Sequence, residues 1–242
     1  LHGGDGPVPV RRGQHGGAVA AAWAAAARAL GIPEEPDKNG EQPAGIGPVP
    51  SNTVDGIRWN TALTYLLPAL GRAGLEVRGG APVDRVVVER GAAVGIEVAG
   101  ELIRAGEGVL AAGAFGSSRL ASRAVADASG GMPEESRFSD HPQAVVAWRP
   151  AEQGLEPGGS WMGEAVHLDD GDAAIELLPS LRPMAALVGG TADPASPLPV
   201  LVSALDPQTR HGRIHPDGAI DYHYLETERE RELLRRGVRV AT

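Results

Sequence analysis

Cysteine is absent from all 242 residues, which excludes disulfides, thiolate metal sites and a cysteine nucleophile. Lysine is nearly absent as well. Lys38 stands alone, so almost all the cationic charge is arginine, a skew we assign to base composition rather than to phosphate reading. Cations are outnumbered 22 to 31, and the formal net charge of −9 argues against a nucleic-acid partner, which needs a basic face. Long apolar runs are missing too. The longest, Ala18 to Ala27, is mostly alanine and stops at Arg28, far short of the ~20 residues that span a bilayer. No signal-peptide pattern opens the chain, which favours the cytoplasm without fixing it. The first residue is Leu1 rather than Met, so we read the sequence as part of a longer polypeptide.

Glycine and proline are plentiful, with 34 and 20 residues. That is a turn-rich composition, yet below the level that signals disorder. The length can bury a sizeable core, in one large domain or two small ones.

The stretch from Leu75 to Ser118 organises the rest. Short β-branched runs at Leu75–Arg78, Pro82–Glu89, Ala93–Val98 and Glu101–Ala105, separated by glycine turns, predict an antiparallel meander. Val109–Ala112 then has the length of a fully buried strand. Gly113 allows a sharp turn or a close approach to a ligand, because no Cβ intervenes. Ser117 or Ser118 can cap a helix continuing through Arg123. Such a strand, turn and helix start present N–H groups to an anion such as a pyrophosphate. They equally describe an ordinary crossover, and the glycine pattern alone does not choose.

Elsewhere, Val8–Arg12 reads as extended, and Gly16–Leu30 as a helix stopped by Gly31 and Pro33. Pro33 to Pro50 reads as irregular, and Gly45-Ile-Gly-Pro-Val-Pro50 fails as a dinucleotide fingerprint because its prolines forbid the required helix. Asn60 or Thr61 caps a helix to Leu70, with Leu63, Leu66, Leu67 and Leu70 on one stripe. Arg58 could tie down a carboxylate or phosphate, but a structural arginine is the simpler reading. Ala124 to Ser139 reads as loop. Asp140-His141-Pro142 invites a general-base reading, although neighbouring strand residues point to opposite faces. Strands at Gln143–Trp148, Gly163–Leu168, Ala173–Leu178, Met184–Val188 and Pro199–Ala204 predict one antiparallel sheet. His211 and His215 have the spacing of a zinc helix, but Gly212 and Pro216 oppose helix formation, so no metal site is assigned. Glu226–Arg239 reads as a charged helix solvated on one face, with like-signed pairs Glu228–Glu232 and Arg231–Arg235.

Taken in order, Asp55-Gly-Ile-Arg58, Tyr65-Leu-Leu-Pro68, Leu75-Glu-Val77, Val83, Val94-Gly-Ile-Glu97, Val109-Leu-Ala-Ala-Gly-Ala114 and Asp140-His-Pro142 resemble the glucose–methanol–choline (GMC) flavoprotein oxidoreductases. The resemblance runs from His2-Gly-Gly-Asp-Gly-Pro7 to Ile220-Asp-Tyr-His-Tyr-Leu225. The Asp-His-Pro-Gln wording is similar to the mycofactocin-associated subgroup. It implies FAD as cofactor, with the backbone of Val83 pairing with the adenine edge and Ala112 and Gly113 against the ADP half. It also implies an alcohol substrate oxidised to a carbonyl, and an electron acceptor the sequence does not name. The family's amino-terminal Gly-x-Gly-x-x-Gly unit and carboxy-terminal catalytic histidine have no counterpart here. Flanking segments of the same enzyme are therefore expected, with weak FAD binding and no activity from this stretch alone. None of His2, His15, His141, His167, His211, His215 and His223 falls at the family's catalytic place.

The resulting fold class is α+β: an antiparallel substrate-domain sheet with helices, plus the β-meander and late strand of an FAD-binding Rossmann-like domain. Residues 1–50 are expected to belong to the substrate domain, 51–139 to the FAD-binding portion, and 140–242 to the substrate-domain sheet and closing helix. A non-catalytic binding or scaffold module that inherited this fold is the alternative, and a metal-dependent hydrolase a distant third.

Overall fold

The computed structural model describes residues 3–12, 17–41, 44–149, 163–180, 197–206 and 212–242. They form two compact units. One comprises Leu1–Leu75, His141–Asp206 and Leu225–Thr242, the other Glu76–Asp140 and Pro207–Tyr224. The fold is α+β, as the sequence implies.

The first unit opens with β1 (Arg11–Arg12) and α1 (Ala18–Ala29), followed by β2 (Gly45–Pro48) and the short strands β3 (Pro50–Ser51), β4 (Thr53–Val54) and β5 (Ile57–Arg58). Its main sheet is antiparallel, with β10 (Gln143–Trp148), β13 (Leu198–Leu205), β12 (Ala173–Pro179), β11 (Glu164–Asp170) and β2 in that order. Period-2 alternation sends Ile175 and Leu177 of β12, Val200, Val202 and Ala204 of β13, and Val166 of β11 to one face, under α1 and the closing helix α4 (Glu228–Ala241). Each fully buried aliphatic side chain contributes about 1.5–3 kcal/mol through area removed from water. Thr227 and Glu230 make a capping box at the start of α4, bonding each other's backbone N–H groups. The helix settles closely because Gly237 has no Cβ: one added there would lie 2.4 Å from Val202 Cγ1.

Several expectations for this unit are revised. The proline-rich stretch before Pro50 contains β2, which joins the sheet through β11 and is bridged on its other side at Ile46 by Pro33–Glu35, with Pro48 at the strand's end. The turn around Leu63 winds as a π-helix, Ala62–Leu66, into the short α2 (Leu67–Ala69). Asn60 does cap it, accepting from the Leu63 N–H at 3.1 Å. The leucine stripe is not buried: Leu67 and Leu70 are both about half exposed, and Thr64 faces inward. In α4, the like-signed neighbours are interleaved with opposite charge, Arg231 and Arg235 both meeting Glu228 and Arg239 meeting Glu232. The expected strand at Met184–Val188 lies outside the described residues.

The second unit carries the meander as β6 (Arg85–Glu89), β7 (Ala92–Val98) and β8 (Glu101–Arg104). Its hairpins close through Arg90-Gly91 and Ala99-Gly100, two-residue turns in which every residue has positive φ, the geometry matched to strand twist. Helix α3 (Gly113–Ser129) packs on β6, and a second small sheet orders β15 (Ile220–Asp221), β14 (Gly212–Ile214) and β9 (Ser136–Phe138). Helix α3 outruns the expected boundary at Arg123 and ends on left-handed Gly130, so the first part of the predicted 124–139 loop, to Ser129, is helix. Two predicted strands are missing. Leu75–Arg78 and Val109–Ala112 lie outside every sheet, and Val109 is 91% exposed, because a strand needs a neighbour to hydrogen-bond and none is present among the described residues.

Candidate functional site

The predicted cofactor corner lies in the second unit. Gly113 begins α3 with φ +73°, a left-handed conformation in which a side chain is strained, and a Cβ there would meet nothing within 4 Å. Ala112 occupies the cap position without a capping side chain. Its N–H donates to Ser117 Oγ at 2.9 Å, so Ser117 serves from inside the helix rather than as the expected cap. No acidic residue occupies the first turn. The leading N–H groups of α3, which no intrahelical carbonyl can reach, carry the positive end of the helix dipole with no first-turn carboxylate beside them. Val83 is half-buried two residues before β6, the strand on which α3 packs. The β6–β7 ladder stops at Asp84, whose N–H donates to Glu97 O at 2.9 Å, leaving the Val83 peptide groups outside it. Ala112 and Gly113 thus open α3, and Val83 precedes β6, the strand on which α3 packs.

Beside this corner runs an aromatic series that sequence reasoning missed. Phe115, in the first turn of α3, meets Phe138 edge-on at 5.4 Å, Phe138 meets Tyr222 at 5.8 Å, and Tyr222 meets Tyr224 at 5.4 Å. Tyr224 OH donates to Asp140 Oδ2 at 2.9 Å. Burial, and then the adjacent carboxylate, push the Tyr224 phenol up to about 12. Asp140 is thus tied to Tyr224 within the second unit.

The profile of the GMC oxidoreductase family matches residues 5–142, which include Val83, Ala112 and Gly113. The chain belongs to the GMC oxidoreductase family. An uncharacterized GMC-type oxidoreductase of Rhodococcus erythropolis is 28% identical over the whole chain and 53% of its own length. Mitochondrial choline dehydrogenase of Mus musculus is 41% identical over 39% of the chain and 16% of its length. Oxygen-dependent choline dehydrogenase of Rhizobium rhizogenes is 36% identical over 48% of the chain and 22% of its length. The crystal structure of pyridoxine 4-oxidase from Mesorbium loti superposes with TM-score 0.74 at 23% identity, covering 99% of this chain and 53% of that one, a likeness of fold. The chain spans about half the length of the Rhodococcus relative and of that oxidase.

This GMC chain also carries polar groups on its five-stranded sheet that the motif reading passed over. His167 Nε2 lies 3.0 Å from Glu176 Oε1, and Gln143 Nε2 donates to Ser203 Oγ at 2.9 Å. Lys38, almost fully buried, donates from Nζ to Gly45 O at 2.5 Å, and burial pulls its ammonium below the ordinary value. The available signal was the interruption of apolar strands by Glu176 and Ser203. Its meaning depends on which strands are neighbours, which no local pattern contains.

His215 bonds Asp221 Oδ2 through Nε2 at 2.8 Å and lies 3.2 Å from Glu135 Oε1 through Nδ1. His211 lies outside the described residues, and among those described no group of three or more His, Asp or Glu side chains is placed to hold a metal. No described helix is long and apolar enough to cross a membrane.

Proposed function

We propose that this chain is the central part of an FAD-dependent enzyme that oxidises an alcohol to a carbonyl. The family match over residues 5–142, spanning the α3 corner, is the observation that carries this reading. FAD, when bound, supplies the acceptor for the hydride of the alcohol. The chain's own residues fit its ADP half: Gly113 leaves open space where a side chain would intrude, the first-turn N–H groups of α3 present donors to a pyrophosphate, and Val83 offers a peptide N–H and C=O outside the ladder to an adenine edge. We assign the meander and α3 to the cofactor-binding portion and the five-stranded sheet to the substrate portion. No histidine of this chain is assigned to the alcohol proton, which we place with flanking segments of the same enzyme. The choline dehydrogenases among the relatives support a small-molecule alcohol as substrate class.

Flavin titration and turnover test this. This stretch alone is expected to bind FAD weakly, and a purified sample retaining stoichiometric yellow flavin would contradict that. In the natural polypeptide containing this stretch, Gly113→Val is expected to weaken FAD binding about tenfold, since a β-branched residue in left-handed backbone is strained by over 1 kcal/mol and its side chain enters the corner. Unchanged affinity would remove Gly113 from the site. Absence of alcohol-dependent acceptor reduction in the flavin-loaded polypeptide would leave a non-catalytic module instead.

A further inference from the structure

One face of the main sheet is hydrocarbon under α1 and α4, but a line of polar side chains crosses the other. Register places Gln143 of β10 opposite Ser203 of β13, Ser203 opposite Glu176 of β12, Glu176 opposite His167 of β11, and His167 opposite Gly45 of β2. With strands ~4.8 Å apart, the four side chains span about 14 Å. The rung on one side is apolar, with Val145 opposite Leu201 and Leu201 opposite Leu178, and on the other side Leu205 and Ala174 lead to Asp169 of β11.

The field of His167, His141 and the buried Lys38 offsets part of the cost of desolvating Glu176, a cost that an apolar side chain would not incur. Polar groups that contradict the local pattern of a sheet point to function. The Glu176 carboxyl is held below its usual range chiefly by the His167 hydrogen bond, so it is ionised at neutral pH. Only Oε1 is engaged with His167, and among the described residues no hydrogen bond reaches Oε2. The Glu176 side chain keeps 25% of its surface exposed. An ionised oxygen, fixed in place by a neighbour and reachable from one sheet face, is an acceptor built for a donor.

We propose, resting on the alcohol-oxidising reading above, that Glu176 determines specificity: its Oε2 accepts a hydrogen bond from a second donor on the substrate, a hydroxyl or a primary ammonium, carried beyond the carbinol that is oxidised. His167 is the positioning residue that holds the carboxylate. A purely hydrocarbon alcohol would desolvate Oε2 without giving it a donor, which disfavours it.

The test compares four alcohols of equal chain length in the flavin-loaded natural polypeptide: a linear diol, the corresponding amino alcohol, the monohydric alcohol and the N-trimethyl amino alcohol. The donor-bearing members are expected to exceed the monohydric one in kcat/KM by roughly 10- to 100-fold, the worth of a hydrogen bond to a charged group. Glu176→Leu, which suits the apolar Ala174 and Leu178 flanking it on β12, should bring that ratio toward one, mainly through KM. Glu176→Gln keeps an acceptor oxygen and should retain part of the preference, a rescue that a purely structural role would not produce. Preference for the diol or for the amino alcohol identifies the donor as hydroxyl or ammonium. An N-trimethyl compound used as well as the primary amine would overturn the proposal, since it brings charge without a donor. Equal use of all four alcohols, unchanged by Glu176→Leu, would overturn it while leaving alcohol oxidation intact. Oxidation of none would fail the underlying reading as well.

Discussion

The two units use similar β-prone sequence to different ends. In the first, Ile175, Leu177 and Val202 are at most 1% exposed because α1 and α4 cover one face of their sheet. In the second, Val77 is 54% and Val109 91% exposed although both lie in runs with strand composition. The contrast shows that a strand is a property of a pair. The meander β6–β7–β8 forms because each partner is a two-residue turn away, whereas the Val77 and Val109 runs have no paired neighbour among the described residues. Exposed apolar segments of this kind mark surfaces meant for contact. They fit the flanking segments proposed for a chain that spans about half of its Rhodococcus relative.

The completed side of the comparison should be the easier to break. Ile175→Ala removes a wholly buried side chain from the centre of the main sheet and is expected to cost about 2–5 kcal/mol, read from denaturant midpoints and from hydrogen exchange in β11–β13. A loss under about 1 kcal/mol would mean that the sheet tolerates a cavity and is less finished than its burial implies. Gly237→Val comes next. Its side chain would collide with Val202 and Ile175, so α4 must lift, at a cost of about 1–3 kcal/mol despite the better helix propensity of valine. Stabilisation by this substitution would show that α4 does not seat where Gly237 places it.

Legibility in the sequence followed the range of the interactions concerned. The meander was readable because Arg90-Gly91 and Ala99-Gly100 are local turn signals bracketing alternating residues. The antiparallel sheet was readable from evenly spaced apolar strands, and the family from motifs in order, as the match over residues 5–142 now establishes. Strand β2 is not legible locally, because its prolines speak against a strand while its pairing with β11 and with Pro33–Glu35 is made at a distance. The Val109 run has the composition of a buried strand, but it is exposed and no strand pairs with it among the described residues. Ala112 and Gly113 come from the family resemblance, their small size being only compatible with a close ligand, and the structure puts them at the start of α3. The line through Gln143, Ser203, Glu176 and His167 joins residues up to 60 positions apart, and only register reveals it.

On the open side, Val109→Asp should do little to the stability of this stretch, within about 0.5 kcal/mol, because the side chain is already in solvent. In the natural polypeptide the same substitution should lower FAD retention, since a charge would then enter a sheet. Equal retention would mean that Val109 stays exposed there too. The smallest expected effect is the pH dependence of the β14–β15 hairpin. His215, on the turn after β14, faces Asp221 on β15, Glu135 from the α3–β9 connection and Asp217 in the turn, with Arg213 and His223 near the same carboxylates. The hydrogen bond to Asp221 raises the His215 value above its ordinary one and lowers that of Asp221. The histidine contribution is therefore complete below its unfolded value of about 6.5 and fades as pH rises through the raised folded value. The carboxylate contribution is complete above about 4 and fades as pH falls through the depressed one. Hydrogen exchange in β14 and β15 should accordingly be slower relative to intrinsic rates at about pH 5.5 than at about pH 9, and His215→Gln should abolish most of the difference. These groups are exposed and screened by salt, so the effect should shrink as ionic strength rises. Protection that increases toward alkaline pH would show that the His215–Asp221 contact does not hold the hairpin.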